Sequence, residues 1–409
     1  MWRRRVATGV GAILVGLIAL LFADAADWAI KTFHAIAAVR WLPLIVTPLG
    51  VLGLTAATKH WMPDSRGSGI PQVIAAARSP ERSLKSLISL KVSIGKLVMT
   101  SGALLVGASV GREGPTVQVS AAIMARVHRF FRVPVNAGVI IAGGAAGVAA
   151  AFNTPLAGVA FAIEELANAF EQRVTLLVMT AILISGMVSQ GIAGDYVYFG
   201  VMPESLPLGR VLLIAPLAGL LGGISGGLFA RVILAVSRNR ARYLGPLASR
   251  PLLWALLCGI GIALIGVATG LTWGTGYAAS KAIIEGARAP WWFGPDKFAV
   301  TLLSTLSGLP GGIFSPSLAT GAGLGNLLCL VFPGDPRGAV VLLGMIAYFT
   351  GVVRAPLTAV IIISEATASR GMILPLFTSA LIADGAAQLV CKEKLYHGLA
   401  RDFMPGGQE

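Results

Sequence analysis

Gly111-Arg112-Glu113-Gly114-Pro115 and, 201 residues further on, Gly312-Ile313-Phe314-Ser315-Pro316 decide how this chain is read. The same ungapped shift lays Thr154-Pro155-Leu156-Ala157-Gly158-Val159 on Ala355-Pro356-Leu357-Thr358-Ala359-Val360, and Glu164 on Glu365. Two motif pairs at one offset mark an internal repeat. Each motif is a glycine- and proline-rich break between apolar stretches, and such breaks are tolerated at membrane depth only where irregular backbone is buried in protein or lines a cavity. Interrupted segments at corresponding places in two halves point to a transporter's binding site. Inversion of the halves would require an odd number of crossings between them, which the apolar pattern leaves open.

The surrounding sequence places these breaks in a bilayer. Of 409 residues, 56% are hydrophobic and 12% charged, against about 25% charged in an ordinary soluble domain. Such a chain cannot cover a soluble core with polar surface; lipid removes the need. Apolar stretches fall at 6–35, 41–58, 86–109, 136–152, 155–170, 174–193, 207–236, 251–270, 297–308, 318–332, 338–353, 356–368 and 371–391. Several are shorter than the ~20 residues of a straight span, while others reach ~30, enough to cross at a steep tilt. An all-α, polytopic membrane protein with broken and tilted helices is expected, as a single transport domain over 1–409 with repeat halves near 40–195 and 207–391. The glycine-rich runs 143–147 and 222–227 suit close helix packing through small residues.

The net charge of +14 could suggest nucleic acid as a partner. However, the basic residues lie in short loops between apolar stretches, as at Arg3 to Arg5, Arg126 to Arg132 and Arg238 to Arg250. That is the pattern of cytoplasmic loops; no polar domain is present to hold a nucleic-acid patch. Cys258, Cys329 and Cys391 are odd in number and far apart, so a disulfide or metal site is not expected, and the four histidines show no ligand spacing. Arg3 to Arg5 followed by an apolar run and Ala23-Asp24-Ala25 has features of a secretory signal. The run's length favours a retained first helix.

Gly67-Ser68-Gly69-Ile70-Pro71 shares the design of the two opening motifs: glycine or proline, then the start of a short helix. Proline suits the first helical turn, glycine permits close backbone approach, and the free N–H groups with the positive dipole end attract an anion. Removing a small anion from water costs tens of kcal/mol in the dry limit. One helix terminus returns about 0.3–2 kcal/mol, and one hydrogen bond to a charged group about 1.5–3. Several donors must therefore converge. Partial charges also let a permeating ion leave again, which a full cationic contact would hinder.

Among the 18 acidic residues, Glu113, Glu164, Glu165, Glu365 and Asp384 sit in or beside apolar helices, where an ionisable group is a functional candidate. Glu113 lies inside an anion-site motif. Ionised, its carboxylate would occupy the anion position; protonated, it would vacate it, giving a proton-linked gate. The alternative is a plain helix-capping carboxylate. Glu164 and Glu165 face directions about 100° apart on a helix, so one at most faces a given path; an interfacial ion pair with nearby basic loops is the alternative for each. Glu365 is expected to be structural.

Together these residues resemble the CLC family of chloride channels and Cl⁻/H⁺ antiporters. Gly67 to Pro71, Gly111 to Pro115 and Gly312 to Pro316 match its three signature motifs in order. The likeness continues through Ala151-Phe152-Asn153-Thr154-Pro155-Leu156-Ala157-Gly158 and Arg354-Ala355-Pro356-Leu357-Thr358 to Lys394-Leu395-Tyr396, where the family places its pore tyrosine. The resemblance implies an inverted-repeat fold and a homodimer with one pathway per subunit. It implies anion-binding roles for the hydroxyls of Ser68 and Tyr396 and the backbone N–H groups of Ile313 and Phe314. Glu113 would be the outer gate and Glu165 the inner proton-transfer residue. Serine at 68 is similar to chloride-preferring members, and an acidic residue at 165 to the exchangers. Because the chain starts almost at its first long helix, the family's short N-terminal helix is expected to be missing. With 13 residues after Tyr396, no C-terminal soluble domain is expected, nor regulation by adenine nucleotide.

The expected function is coupled Cl⁻/H⁺ antiport in a bacterial inner membrane, with bound chloride and no cofactor. The alternative is a passive voltage- or pH-gated chloride channel on the same fold. A fluoride/proton antiporter fits less well, because that branch departs at the positions of Ser68 and Tyr396. An enzyme is not expected, since no nucleophile–base pair or metal-ligand cluster stands out.

Overall fold

Many helices here start as their sequence dictates, with proline in the first turn: Pro43–Trp61, Pro155–Phe161, Pro251–Thr269 and Pro356–Thr367. The computed structural model describes residues 2–166, 172–194 and 196–404. These are all-α, and six helices are long and apolar enough to span a bilayer, from Trp2–Ala37 to the segment ending at Val390. Others are short and interrupted, as the breaks predict. Exposed apolar side chains such as Leu212, Leu374 and Leu389 form the outer surface, the arrangement of a protein solvated by lipid.

Two helices, Ala137–Phe152 and Arg337–Val353, are buried along nearly their whole length. Their glycines allow this. A Cβ added at Gly143 would stand 2.8 Å from the Ala121 backbone, and one at Gly344 2.7 Å from the Gly321 carbonyl. Gly143 and Gly344 are equivalent under the 201-residue shift, so the same small-residue packing recurs.

The repeat is written into the hydrogen bonds. Gly111 and Gly312 exchange both backbone bonds, each N–H donating to the other's carbonyl at 2.7 Å. Equivalent residues paired in this way run antiparallel. Helices Glu113–Phe130 and Phe314–Val331 start side by side from this bridge. The two halves therefore meet about a two-fold relation, as the halves of an inverted repeat do. Further on, Asn153 and Arg354 both end their helices in the left-handed conformation, at φ 57° and 60°, one residue before Thr154-Pro155 and Ala355-Pro356. Glu164 then accepts from the Leu357 and Thr358 amides, at 3.2 and 2.8 Å, while Glu365 accepts from Leu156 and Ala157 at the same distances. Each carboxylate caps the helix that leads to the other.

Some boundaries move. The stretch expected at 297–308 starts at Phe293 and the one at 318–332 at Phe314. The expected stretch 155–170 is helical to Phe161 and then widens into a π-turn, Ala162–Leu166; its remainder lies outside the described residues. Ile70–Arg78, Glu113–Phe130, Tyr277–Ile284 and Leu395–Ala400 are helices that apolar length does not reveal. Three are simply short. Glu113–Phe130 carries Gln118, Arg126, His128 and Arg129, which break its apolar pattern.

Candidate anion pathway and its carboxylates

Ser68, Glu113, Ile313, Phe314 and Tyr396 come together where the breaks meet. The Ser68 loop is tied to the second repeat by the Gly311 amide, which donates to the Gly67 carbonyl at 3.0 Å. Ser68 then lies against Gly114: a Cβ there would collide with the Ser68 hydroxyl and stand 2.8 Å from its carbonyl. Only glycine lets the two motifs close on each other. Ile313 ends the Gly312 bridge and Phe314 opens its helix; neither amide has a backbone acceptor among the described residues. They are free helix-terminal donors of the kind that bind anions.

Tyr396 is fully buried on Leu395–Ala400, its ring centroid 5.9 Å from that of Phe314. Phe152, Phe161 and Phe349 pack around the same phenylalanine and fix it. The hydroxyls of Tyr396 and Ser68 are both buried without a hydrogen-bond partner among the described residues. Each such orphan costs about 1–3 kcal/mol. Two hydroxyls without partners thus lie beside two amides without backbone acceptors among the described residues.

Glu113 is fully buried at the edge of this site. Its carboxylate does not cap its own helix; it crosses to the facing helix and accepts from the Ser315 hydroxyl, with the Ser315 amide at 3.5 Å. The Glu113 carboxyl thus sits at the N-terminus of helix Phe314–Val331. Arg112, beside it, is held outward by Asp27 at 2.9 Å and by the Ala23 carbonyl.

Glu165 is likewise buried, in the π-turn Ala162–Leu166. The wider turn, a feature frequent at functional sites, splits the adjacent glutamates. Glu164 faces the helix start at Pro356, and Glu165 faces Lys394 at 3.9 Å and His397 at 3.2 Å. The interfacial ion pair considered for Glu164 is thereby replaced by two amides and the Thr358 hydroxyl. Asp384 pairs with Arg354 at 3.1 Å, away from the cluster.

Sequence reading missed three features here. Lys96 and Lys297, equivalent under the shift, are fully buried, and each donates to loop carbonyls: Lys96 to Arg66 and Gly67, Lys297 to Thr272 and Gly274. Lysines within apolar stretches at one offset were a usable signal. Gly274-Thr275-Gly276-Tyr277 is the counterpart of Gly67-Ser68-Gly69-Ile70, with positive φ at both glycines of each and a short helix after each. The shift there is 207, so an ungapped alignment passes over it.

Comparison with known proteins agrees with this architecture. Residues 49–388 match the model of the voltage-gated chloride channel family. The chain is 32% identical to the H(+)/Cl(-) exchange transporter ClcA of Vibrio parahaemolyticus, covering 88% of this chain and 80% of that protein. With the same exchanger from Vibrio cholerae it shares 33% identity, over 95% of this chain and 86% of the relative. In structure it resembles a slow cyanobacterial Cl⁻/H⁺ antiporter, with a TM-score of 0.83 and 26% identity over 98% of both chains. A CLC-type fluoride/proton antiporter shares the fold at a TM-score of 0.80, over 97% of both. An inverted array of broken membrane helices, three glycine-marked helix starts meeting at one point and a family match over most of its length together establish this chain as an integral membrane protein of the voltage-gated chloride channel (CLC) family.

Proposed function

We propose that this protein carries chloride across a bacterial inner membrane by coupled Cl⁻/H⁺ antiport, as one transport unit over 1–409 with halves near 40–195 and 207–391. Chloride binds at Ser68, Tyr396 and the Ile313 and Phe314 amides. Glu113 is the outer gate: ionised, its carboxylate holds the Ser315 helix start; protonated, it releases that position to an anion. Glu165 exchanges protons at the opposite end of the pathway. The observation that carries this reading is the pair of buried, unpartnered hydroxyls of Ser68 and Tyr396, set between free helix-terminal amides and a carboxylate already occupying an anion position. The exchangers among the similar proteins support coupling over passive flow. The protein acts as a homodimer with one pathway in each subunit.

The test is paired flux in proteoliposomes. An outward chloride gradient is expected to drive protons inward against their own gradient. Chloride movement with proton flux at background would overturn antiport and leave the passive channel. Crosslinking in detergent should trap a dimer; a monomer that transports at full rate would remove the homodimer from the proposal.

A further inference from the structure

Glu165 presents an unsolved problem: a carboxylate with no exposed surface must receive protons from water. Among the described residues neither of its oxygens closes a hydrogen bond, and its only charged or titratable neighbours within ion-pair reach are Lys394 and His397. The Lys394 ammonium is the farther, and it also leans on the Glu164 carbonyl at 3.4 Å. An ammonium holds its proton near neutral pH, whereas an imidazole exchanges one there. His397 also has the right placement. Its Nδ1 is buried 3.2 Å from Glu165 Oε1, while its side chain as a whole is 27% exposed. One part of the ring meets the carboxylate and another meets solvent.

Its position on the helix explains this. Tyr396 and His397 are consecutive on Leu395–Ala400, so they point about 100° apart. One short helix turns its phenol toward the anion site and its imidazole toward Glu165. The other ionisable groups nearby are already engaged. Glu393 lies between Arg238 and Arg401, and Asp402 accepts from Ser237. Glu164 is held by the Leu357 and Thr358 amides. On the remaining packed elements, Arg78 leans on Met404 and Arg337 on Asn326, and Arg231 is an arginine; guanidinium groups do not release protons at these pH values.

We infer that His397 is the proton relay between the aqueous phase and Glu165. This rests on Glu165 being the inner proton-transfer residue. In the step, water delivers a proton to Nε2 of the Nδ1–H tautomer, and Nδ1–H passes to ionised Glu165 Oε1. The carboxyl and the imidazole are then both neutral, the ring carrying its hydrogen on Nε2; exchange with water, which gives a proton to Nδ1 and takes the one on Nε2, restores the starting tautomer with no net proton change. A small ring rotation is also what brings the present 3.2 Å contact into line, as catalytic hydrogen bonds often require.

The experiment compares His397→Gln, His397→Asn, Glu165→Gln and the double variant Glu165→Gln/His397→Gln in proteoliposomes, recording chloride and proton flux against pH. Either His397 variant should lower chloride-driven proton uptake about tenfold or more and flatten its pH profile near neutrality. In a further variant, His397→Ala, added imidazole should restore uptake. The double variant should move chloride as fast as Glu165→Gln alone, because with no carboxylate to load the relay has no effect; a merely structural histidine would slow chloride there too. Should Glu165→Gln abolish proton flux while both His397 variants keep the original rate and pH profile, the relay is wrong and the Glu165 reading stands. Proton flux that survives in Glu165→Gln would bring down both.

Discussion

Lys96 and Lys297 are equivalent under the 201-residue shift, and both are buried lysines bonded to loop carbonyls. Glu113 and Phe314 are equivalent too, yet one is a titratable carboxylate and the other an apolar ring. The same split runs through both halves. Gly111 and Gly312, Gly143 and Gly344, and Glu164 and Glu365 agree in residue and in contacts. Arg112 against Ile313 and Glu165 against Ala366 do not. Whatever appears twice builds the two-fold frame, because a symmetric frame needs it on both sides. A proton step of the proposed kind needs the two ends of the path to differ, and Glu113 and Glu165 are positions at which the halves do differ.

The largest effects should come from the carboxylates that have no counterpart in the other half. Glu113→Gln removes the group that holds the Ser315 helix start and should drop proton flux to background, with chloride then moving without pH control. Glu165→Gln should also abolish proton flux while sparing chloride. Paired flux measurements check both. An exchange ratio unchanged in either variant would mean that symmetry-breaking residues do not mark the chemistry.

Between these extremes stand the lysines, alike in burial but not in backup. The Arg66 carbonyl also accepts from Gln72 at 2.7 Å and the Gly67 carbonyl from Gly311, so both keep a donor without Lys96. The Thr272 and Gly274 carbonyls have no second donor among the described residues. A buried acceptor left alone costs about 1–3 kcal/mol. Lys297→Met should therefore destabilise the protein by several kcal/mol, less whatever is regained by no longer burying the amine, and by more than Lys96→Met does. Thermal unfolding in detergent measures the difference; equal losses would show that the two loops are held by something other than these lysines.

The meeting of the three motifs was legible because each motif is local. A glycine that must lie against Ser68 and a proline that must open a helix are visible within five residues of each other. Glu113, Ile313 and Phe314 are carried by the same motifs, and Tyr396 by the family resemblance. The contacts of Lys96, Thr275 and His397 were not legible, each for a physical reason, although the equivalent offset of Lys96 and Lys297 was a signal. Lys96 acts on carbonyls 30 residues away, Thr275 lies beyond a six-residue insertion, and His397 meets Glu165 only because a six-residue helix folds back onto the π-turn. The two-fold relation of the halves was likewise hidden until the Gly111–Gly312 bridge gave the chain direction.

The smallest effect should come from the most symmetric pair. Glu164 and Glu365 each cap the other's helix through two amides, and each is partly exposed. Glu365→Gln keeps an acceptor oxygen but loses the charge that strengthens the bonds, so about 0.5–1.5 kcal/mol should be lost. Glu164→Gln should cost slightly more, since its carboxylate also takes the Thr358 hydroxyl at 2.8 Å. Thermal unfolding of the single variants and of the double should give nearly additive losses, because the two caps share no donor, with the chloride-to-proton ratio unchanged in all three. A ratio that shifts in Glu164→Gln alone would place Glu164 with Glu165 on the proton path, and its likeness to Glu365 would then be one of geometry without equivalence of role.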